Sequence, residues 1–305
     1  MNRRSTWPLR AVAAALVLAV VGLPSATAGA QGAPGEEAAT TVVESPSPNT
    51  VTAYGAAVDH GPSSPMDLAA PLVAMAGHPS GKGYWLAASD GGVFSFGDAA
   101  FLGSAGAIDL AEPIVGMAAT PSGGGYWLVA ADGGVFSFGE AAFLGSMGAT
   151  PLNRPVVGMA ATPSGDGYWL VASDGGIFAF GDARFRGSMG ATPLNRPVVG
   201  MAATPRGDGY WLVASDGGIF AFEAPFHGSM GDKPIDRGVV GLAASPDGDG
   251  YWLAAEDGQV YAFGVLERGS AAEADDAKSE ARTVAIAASP GGDGYWLAHG
   301  AFPVV

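Results

Sequence analysis

The chain has 305 residues, 48% of them hydrophobic and 14% charged, with 49 glycines, 22 prolines and no cysteine. That composition supplies a core and many turns, and it excludes a disulfide framework or a cysteine-anchored lipoprotein. Twenty-nine acids against 14 bases give a formal charge of −15, which disfavours nucleic acid and anionic lipid head groups as partners.

In chain order, Arg3, Arg4 and Arg10 accompany the thirteen-residue apolar run "AVAAALVLAVVGL" at 11–23, and Ala26-Thr27-Ala28 and Ala28-Gly29-Ala30 offer small-residue cleavage sites. This is the pattern of a secretory signal peptide over residues 1–30, too short for a comfortable membrane span. Arg3-Arg4 points to twin-arginine export, whereas Ser5, Thr6 and Trp7 do not fit that signal, so the route stays open. Removing the leader takes away three bases and no acid, leaving 11 bases against 29 acids and a charge of −18. No second apolar run of membrane length follows. The mature chain is expected to be a monomer outside the cytoplasmic membrane, secreted or associated with the cell wall. Residues 31–49, "QGAPGEEAATTVVESPSPN", lack aromatics and read as a flexible linker rich in Pro, Ser, Thr and Glu.

From residue 50 onward the sequence repeats. The tetrad Gly-Tyr-Trp-Leu recurs with its tyrosine at 84, 126, 168, 210, 251 and 295, a period of about 42. Blocks 149–180 and 191–222 differ only at Ser164 against Arg206. One period, 155–190, resolves into "VVGMAA", "GYWLVAS", "GIFAFG" and "ARFRGSMG", four apolar runs separated by turn residues. Asp174-Gly175 predicts a tight hairpin in which both residues tolerate positive φ, and Pro155 stands where a strand begins. The runs are nearly continuous rather than alternating, so both faces of each sheet must be covered.

Four short strands per 42 residues predict an all-β fold, a six-bladed β-propeller of four-stranded blades over residues 50–305. Sliding residues 51–61 along by 84 positions lays Tyr54-Gly55 on Phe138-Gly139 and Gly61 on Gly145 without a gap. Residues 50–61 then supply the third and fourth strands of a blade whose first two lie at 283–298. The ring is thus expected to be closed by strands from both termini. "AFPVV" at 301–305 is an alternative third strand, which would leave the N-terminus only the fourth.

The run "GYWLVASDGGIFAFGDARFRGSMG" resembles the repeat arrays of secreted actinobacterial β-propeller proteins. The resemblance covers about 50–305 and implies a propeller, mostly without an assigned activity. "DGGIFAFGDA" is more weakly similar to quinoprotein-type repeats. "SDGG" is similar to the Asp-box turn of sialidase-like propellers, although its aromatic falls at a different offset.

A propeller's first strands line its channel, and here they read "LVAMAGH", "IVGMAAT", "VVGMAAT", "VVGMAAT", "VVGLAAS" and "TVAIAAS", with no Asp, Glu, Arg or Lys. Paired-carboxylate hydrolysis has nothing to use there. His60, His78, His227 and His299 fall in different blades or at different phases, which speaks against a histidine metal site. Trp85, Trp127, Trp169, Trp211, Trp252 and Trp296 are expected to pack blade on blade rather than to form sugar platforms. Asp90, Asp132, Asp174, Asp216 and Asp257 sit in the second-to-third-strand turns, on the face expected to carry Asn153, Arg154, Asn195 and Arg196. A second set, Asp166, Asp208, Asp249 and Asp293, belongs to the opposite face near Asp98, Glu140 and Asp182. Turn chemistry accounts for both sets, with calcium held by oxygens of adjacent blades as the one cofactor alternative. Residues 267–282, "ERGSAAEADDAKSEAR", replace the usual inter-blade connection and break the symmetry.

These residues point to a non-catalytic interaction module whose partner is an extracellular protein or a cell-wall glycan. A multivalent lectin is the alternative, and a hydrolase or quinoprotein-like enzyme is the third reading. No catalytic, cofactor-binding or metal residue is assigned.

Overall fold

The computed structural model describes residues 46–62, 64–270 and 281–301, all within one compact unit, and there each repeat forms one antiparallel three-stranded sheet. Five sheets follow the chain. They are β2 (Leu72–Gly77), β3 (Gly83–Ala88) and β4 (Val93–Gly97); β5 (Ile114–Ala119), β6 (Gly125–Ala130) and β7 (Val135–Gly139); β8 (Val156–Ala161), β9 (Gly167–Ala172) and β10 (Ile177–Gly181); β11 (Val198–Ala203), β12 (Tyr210–Ala214) and β13 (Ile219–Phe222); and β14 (Val239–Ala244), β15 (Tyr251–Ala255) and β16 (Val260–Phe263). The sixth joins β17 (Ala281–Ala288) and β18 (Gly294–Ala301) to β1 (Thr50–Gly55) from the other end of the chain. In β1–β18 Tyr54 lies opposite Tyr295, as Phe96 lies opposite Tyr84 in the first blade. The N-terminal segment therefore supplies the third strand of the closing blade. Residues 302–305, the alternative third strand, lie outside the described residues.

The first strands stand side by side around a channel in the order β2, β5, β8, β11, β14, β17, and β17 lies beside β2. Six sheets radiating from that circle are the blades of a β-propeller. The glycine in "IVGMAA" permits a close approach at the axis: a Cβ on Gly116 would lie 3.2 Å from the Cα of Gly158 in the next blade.

The middle strands explain the tetrad. Every Gly-Tyr-Trp-Leu tryptophan and tyrosine is completely buried. Each tryptophan ring tilts against the tyrosine of the following blade, with centroids 5.4 Å apart at Trp85–Tyr126, 5.6 Å at Trp169–Tyr210 and 5.5 Å at Trp296–Tyr84, where the ring closes. Such aromatic pairs contribute about 0.5–1.5 kcal/mol each beyond the area they bury.

The expected fourth strand is not a strand. The segment after each third strand spends its backbone groups on side chains. Trp169 Nε1 donates to the Arg184 carbonyl at 2.8 Å, Tyr210 Oη accepts from Arg186 N at 3.0 Å, and the same hydroxyl donates to the Gly187 carbonyl at 2.6 Å. Trp127 with Ala142, and Tyr168 with Leu144 and Gly145, repeat the arrangement one blade earlier. A segment whose donors and acceptors are engaged by aromatic heads has no ladder left to form, so each blade has three strands and a strap over the seam. Gly61 accepts from Tyr84 Oη as Gly145 accepts from Tyr168 Oη, as the 84-residue alignment implies.

The expected leader, residues 31–45 of the linker, and residues 271–280 of the odd loop lie outside the described residues. The last part of the expected linker is tied to the fold: Asn49 Nδ2 donates to the Met66 carbonyl at 3.0 Å, and Thr50 Oγ1 to that of Ser47 at 2.6 Å. Among the described residues no helix is long and apolar enough to cross a membrane.

His299 is particular to the closing blade. It occupies the place of Ala88, Ala130, Ala172, Ala214 and Ala255, is fully buried, and bridges Thr52 Oγ1 (3.0 Å from Nε2) and Thr283 Oγ1 (3.3 Å from Nδ1). Burial pushes its pKa down to about 4.

Two outcomes follow from these contacts. Tyr168→Phe removes one hydroxyl from two buried backbone groups and is expected to cost about 1–3 kcal/mol in urea unfolding, against almost nothing for Phe143→Tyr on the surface. His299 takes up its proton near pH 6.5 when unfolded but only near pH 4 when folded. The stability linked to it is therefore full above about pH 6.5 and falls by about 3 kcal/mol as the pH drops to 4. His299→Ala, the residue of the other five blades, should flatten that part of the pH–stability curve.

Candidate functional site

The turn between second and third strands sets the geometry of one face. In Ser173-Asp174-Gly175-Gly176 only Gly175 has positive φ, at 77°, so the expected pair of left-handed residues is replaced by a turn in which Asp174 Oδ1 accepts from Gly176 N at 2.9 Å. The same bond is made by Asp90, Asp132, Asp216 and Asp257 to the residue two places on. Gly175 then accepts from Met189 N at 2.9 Å, which lays the inter-blade loop against the turn. A Cβ on Gly175 would lie 2.6 Å from that of Met189, so glycine is required twice over.

Loop and turn together enclose a cavity of about 340 Å³ between the third and fourth blades. Arg154 reaches it from one loop, Asn195 and Arg196 from the next, and Asp174 from the turn between them. Four sequence candidates thus meet at one place. Asn153 is not among the cavity's lining residues. One blade earlier in sequence, Glu112, Asp132, Asn153 and Arg154 hold the corresponding positions; one blade later, Arg196, Asp216, Asp236 and Arg237 do.

The opposite set of acids serves the first-to-second-strand turns. Asp182 accepts from Thr162 Oγ1 at 2.9 Å and Ser164 Oγ at 2.7 Å, and Asp208 accepts from Thr204 Oγ1 at 2.6 Å. Among the described residues no three His, Asp or Glu side chains are grouped so as to hold a metal ion. His78 bonds Ser80 in its own turn, and His227, on the fourth blade's strap, packs edge-on to Tyr251 of the fifth blade.

Three features were not read from the sequence. The buried tryptophans present no platform, but Phe101, Phe143, Phe185 and Phe226 do: each is about 60% exposed on the strap of successive blades. Acids, Asp59 and Glu267, stand at the corresponding strap positions of the other two blades. The channel opens on the turn face as a cavity of about 660 Å³ walled by Val73, Val115, Val157, Val199, Val240 and Val284. At its rim Arg282 Nη1 and Glu256 Oε2 are 2.6 Å apart. The phenylalanines could have been found as an aromatic kept at constant phase after the third run. The ion pair could not, because its members lie 26 residues apart and on different blades.

No family model matches the chain, and no curated protein matches it. Among solved structures, the β-propeller domain of Cps50 (Swd1) from Myceliophteria thermophila is similar at 12% identity, over 65% of this chain and 66% of that one, just under two thirds, with a TM-score of 0.45. The propeller assignment rests on the circle of first strands and not on that likeness.

The turn predicts its own chemistry. Asp174→Asn keeps the Oδ1 acceptor and should leave thermal unfolding almost unchanged, whereas Asp174→Ala should cost about 0.5–1.5 kcal/mol.

Proposed function

We propose that this chain is a non-catalytic binding module, exported from the cell, that engages an extracellular protein or a cell-wall glycan through the turn face of the propeller. The observation that carries this reading is the cavity where Arg154, Asp174, Asn195 and Arg196 converge from two consecutive loops. Two guanidinium forks, a carboxylate and an amide offer donors and acceptors around one opening, which suits carboxylates, amides or vicinal hydroxyls. Related polar sets at neighbouring seams favour a partner that is itself extended or repetitive. The basic, then apolar, N-terminal thirty residues support export.

A lectin is the second reading. It is favoured by the exposed phenylalanines, one on each of four successive straps, since an aromatic face repeated at blade spacing can stack on sugar rings along a polymer.

Calorimetric titration of the purified chain against a panel of glycans, wall polymers and secreted proteins tests both. The turn-face reading expects saturable binding that weakens about tenfold or more in Arg154→Ala and in Arg196→Ala, with the ligand recovered unchanged. Binding at several sites per chain, lost in Phe143→Ser but not in Arg196→Ala, would establish the lectin instead. Turnover of any panel member would refute a non-catalytic role.

A further inference from the structure

On the turn face, the position that ends each inter-blade loop reads Ala70, Glu112, Arg154, Arg196, Arg237 and Ala281 in chain order. Three arginines thus stand on three consecutive loops. The residue after each one accepts from the neighbouring turn: Pro155 from Ser173 N, Pro197 from Ser215 N and Gly238 from Glu256 N, each at 2.9 Å. The residue after that donates to the turn before: Val156 N to Ala131, Val198 N to Ser173 and Val239 N to Ser215, again at 2.9 Å. Two backbone bonds therefore hold the chain beside every arginine between two aspartate turns.

The polar heads on this arc are unspent. Among the described residues Arg154, Arg196 and Arg237 have no ion-pair or side-chain hydrogen-bond partner, unlike Arg186, which pairs with Glu223. Asp174 commits only Oδ1, to Gly176 N, and Asp132 and Asp216 do the same, so one oxygen of each is left over. The opposite face differs, since both oxygens of Asp182 are taken by Thr162 and Ser164. Along the arc, carboxylates with a spare acceptor alternate with unpaired guanidinium groups.

We propose that this arc binds a linear glycan of sugar acids, laid across three seams with its carboxylates on Arg154, Arg196 and Arg237. The proposal rests on the turn-face reading and names its partner. A guanidinium fork suits a planar carboxylate, and a spare aspartate oxygen, an acceptor only, requires a donor such as a ring hydroxyl. A uronic acid carries both groups on every residue. An acidic peptide or a polyphosphate brings the anions without a row of hydroxyl donors and leaves the aspartates unmatched. The cavity of about 340 Å³ in the middle of the arc lies at the lower end of the range of small-ligand sites, which suits one sugar unit. The formal charge of −15 is screened over about 8 Å at physiological salt, so contacts within the arc decide the binding. On the third loop Asp236 stands where the second has Asn195, which makes Arg237 the weakest of the three contacts.

The test is calorimetric titration of the purified chain with digalacturonate, octagalacturonate and the methyl ester of the octamer. One octamer should bind per chain, about tenfold or more tightly than the dimer, and the ester about tenfold or more weakly than the acid. Arg196→Gln should weaken both acids, whereas Arg237→Gln should weaken the octamer more than the dimer, a difference that misfolding cannot imitate. Asp174→Asn keeps the turn and should narrow the preference for octagalacturonate over octaglutamate. Equal affinity for dimer and octamer overturns the proposal, as does binding that survives esterification. Equal binding of octaglutamate or of an oligo(glycerol phosphate) would reduce recognition to charge and refute the sugar. A neutral glycan or a protein whose binding weakens in Arg154→Ala, with no binding of octagalacturonate, would overturn this inference and leave the turn-face reading standing. Octagalacturonate binding indifferent to both Arg154 and Arg196 would overturn the two together.

Discussion

Everything in this protein depends on one contact made six times, a tryptophan of one blade against the tyrosine of the next. A three-stranded sheet with the middle strand Gly-Tyr-Trp-Leu-Val-Ala has two apolar faces and no means of covering either by itself. The Trp–Tyr pair covers both, because each blade gives its indole to one neighbour and its phenol to the other. The polar heads of the same rings then fix the strap: indole N–H and phenol O–H are aimed at backbone groups that would otherwise be buried without partners. The near-identity of blades follows from this. Any seam that departed from the others would change the angle through which the ring must close.

The sequence made the blades legible because period and apolar pattern are properties of a single strand. The three runs "VVGMAA", "GYWLVA" and "GIFAF" match β8, β9 and β10 to within a residue. The tryptophans are buried between blades, and the missing third strand was located from the 84-residue alignment of Tyr54-Gly55 and Gly61. What failed was the fourth run. "ARFRGSMG" has the look of a strand, but its partners are side-chain hydroxyls and indoles of its own and the following blade, and periodicity does not report which atoms answer a backbone group. The same limit hid the channel mouth. Valine in "VVGMAA" was counted as apolar lining, whereas its release from the ladder is a matter of register. Arg282 and Glu256 become a pair only when the seam between the last two blades is built.

Repetition and its exceptions divide the molecule's surface into two kinds. The aspartate turns, straps and inter-blade loops recur from blade to blade and can act only by number. Among the described residues His299, Arg282 and Glu256 have no counterpart in the other blades; His299 and Arg282 belong to the closing blade, and Glu256 to the blade before it. A ring of equivalent blades has no reason of its own to give one blade both a buried imidazole and an ion pair. The closing blade is thus both the mechanical joint and the chemically distinct sector.

The make-up of that blade also orders events in time. Its outer strand, β1, is made before the other five blades and its two inner strands, β17 and β18, after them. Blades one to five can dock as they emerge, each on the one before, yet Trp252 has no phenol to meet and Tyr84 no indole until Tyr295 and Trp296 arrive. Throughout translation the growing arc carries an exposed aromatic face at each end, and the two faces are complementary to one another. Two unfinished chains side by side therefore offer each other the docking surface that each will later offer itself. Arrival of β17 and β18, rather than the folding of any single blade, decides whether the arc closes on itself.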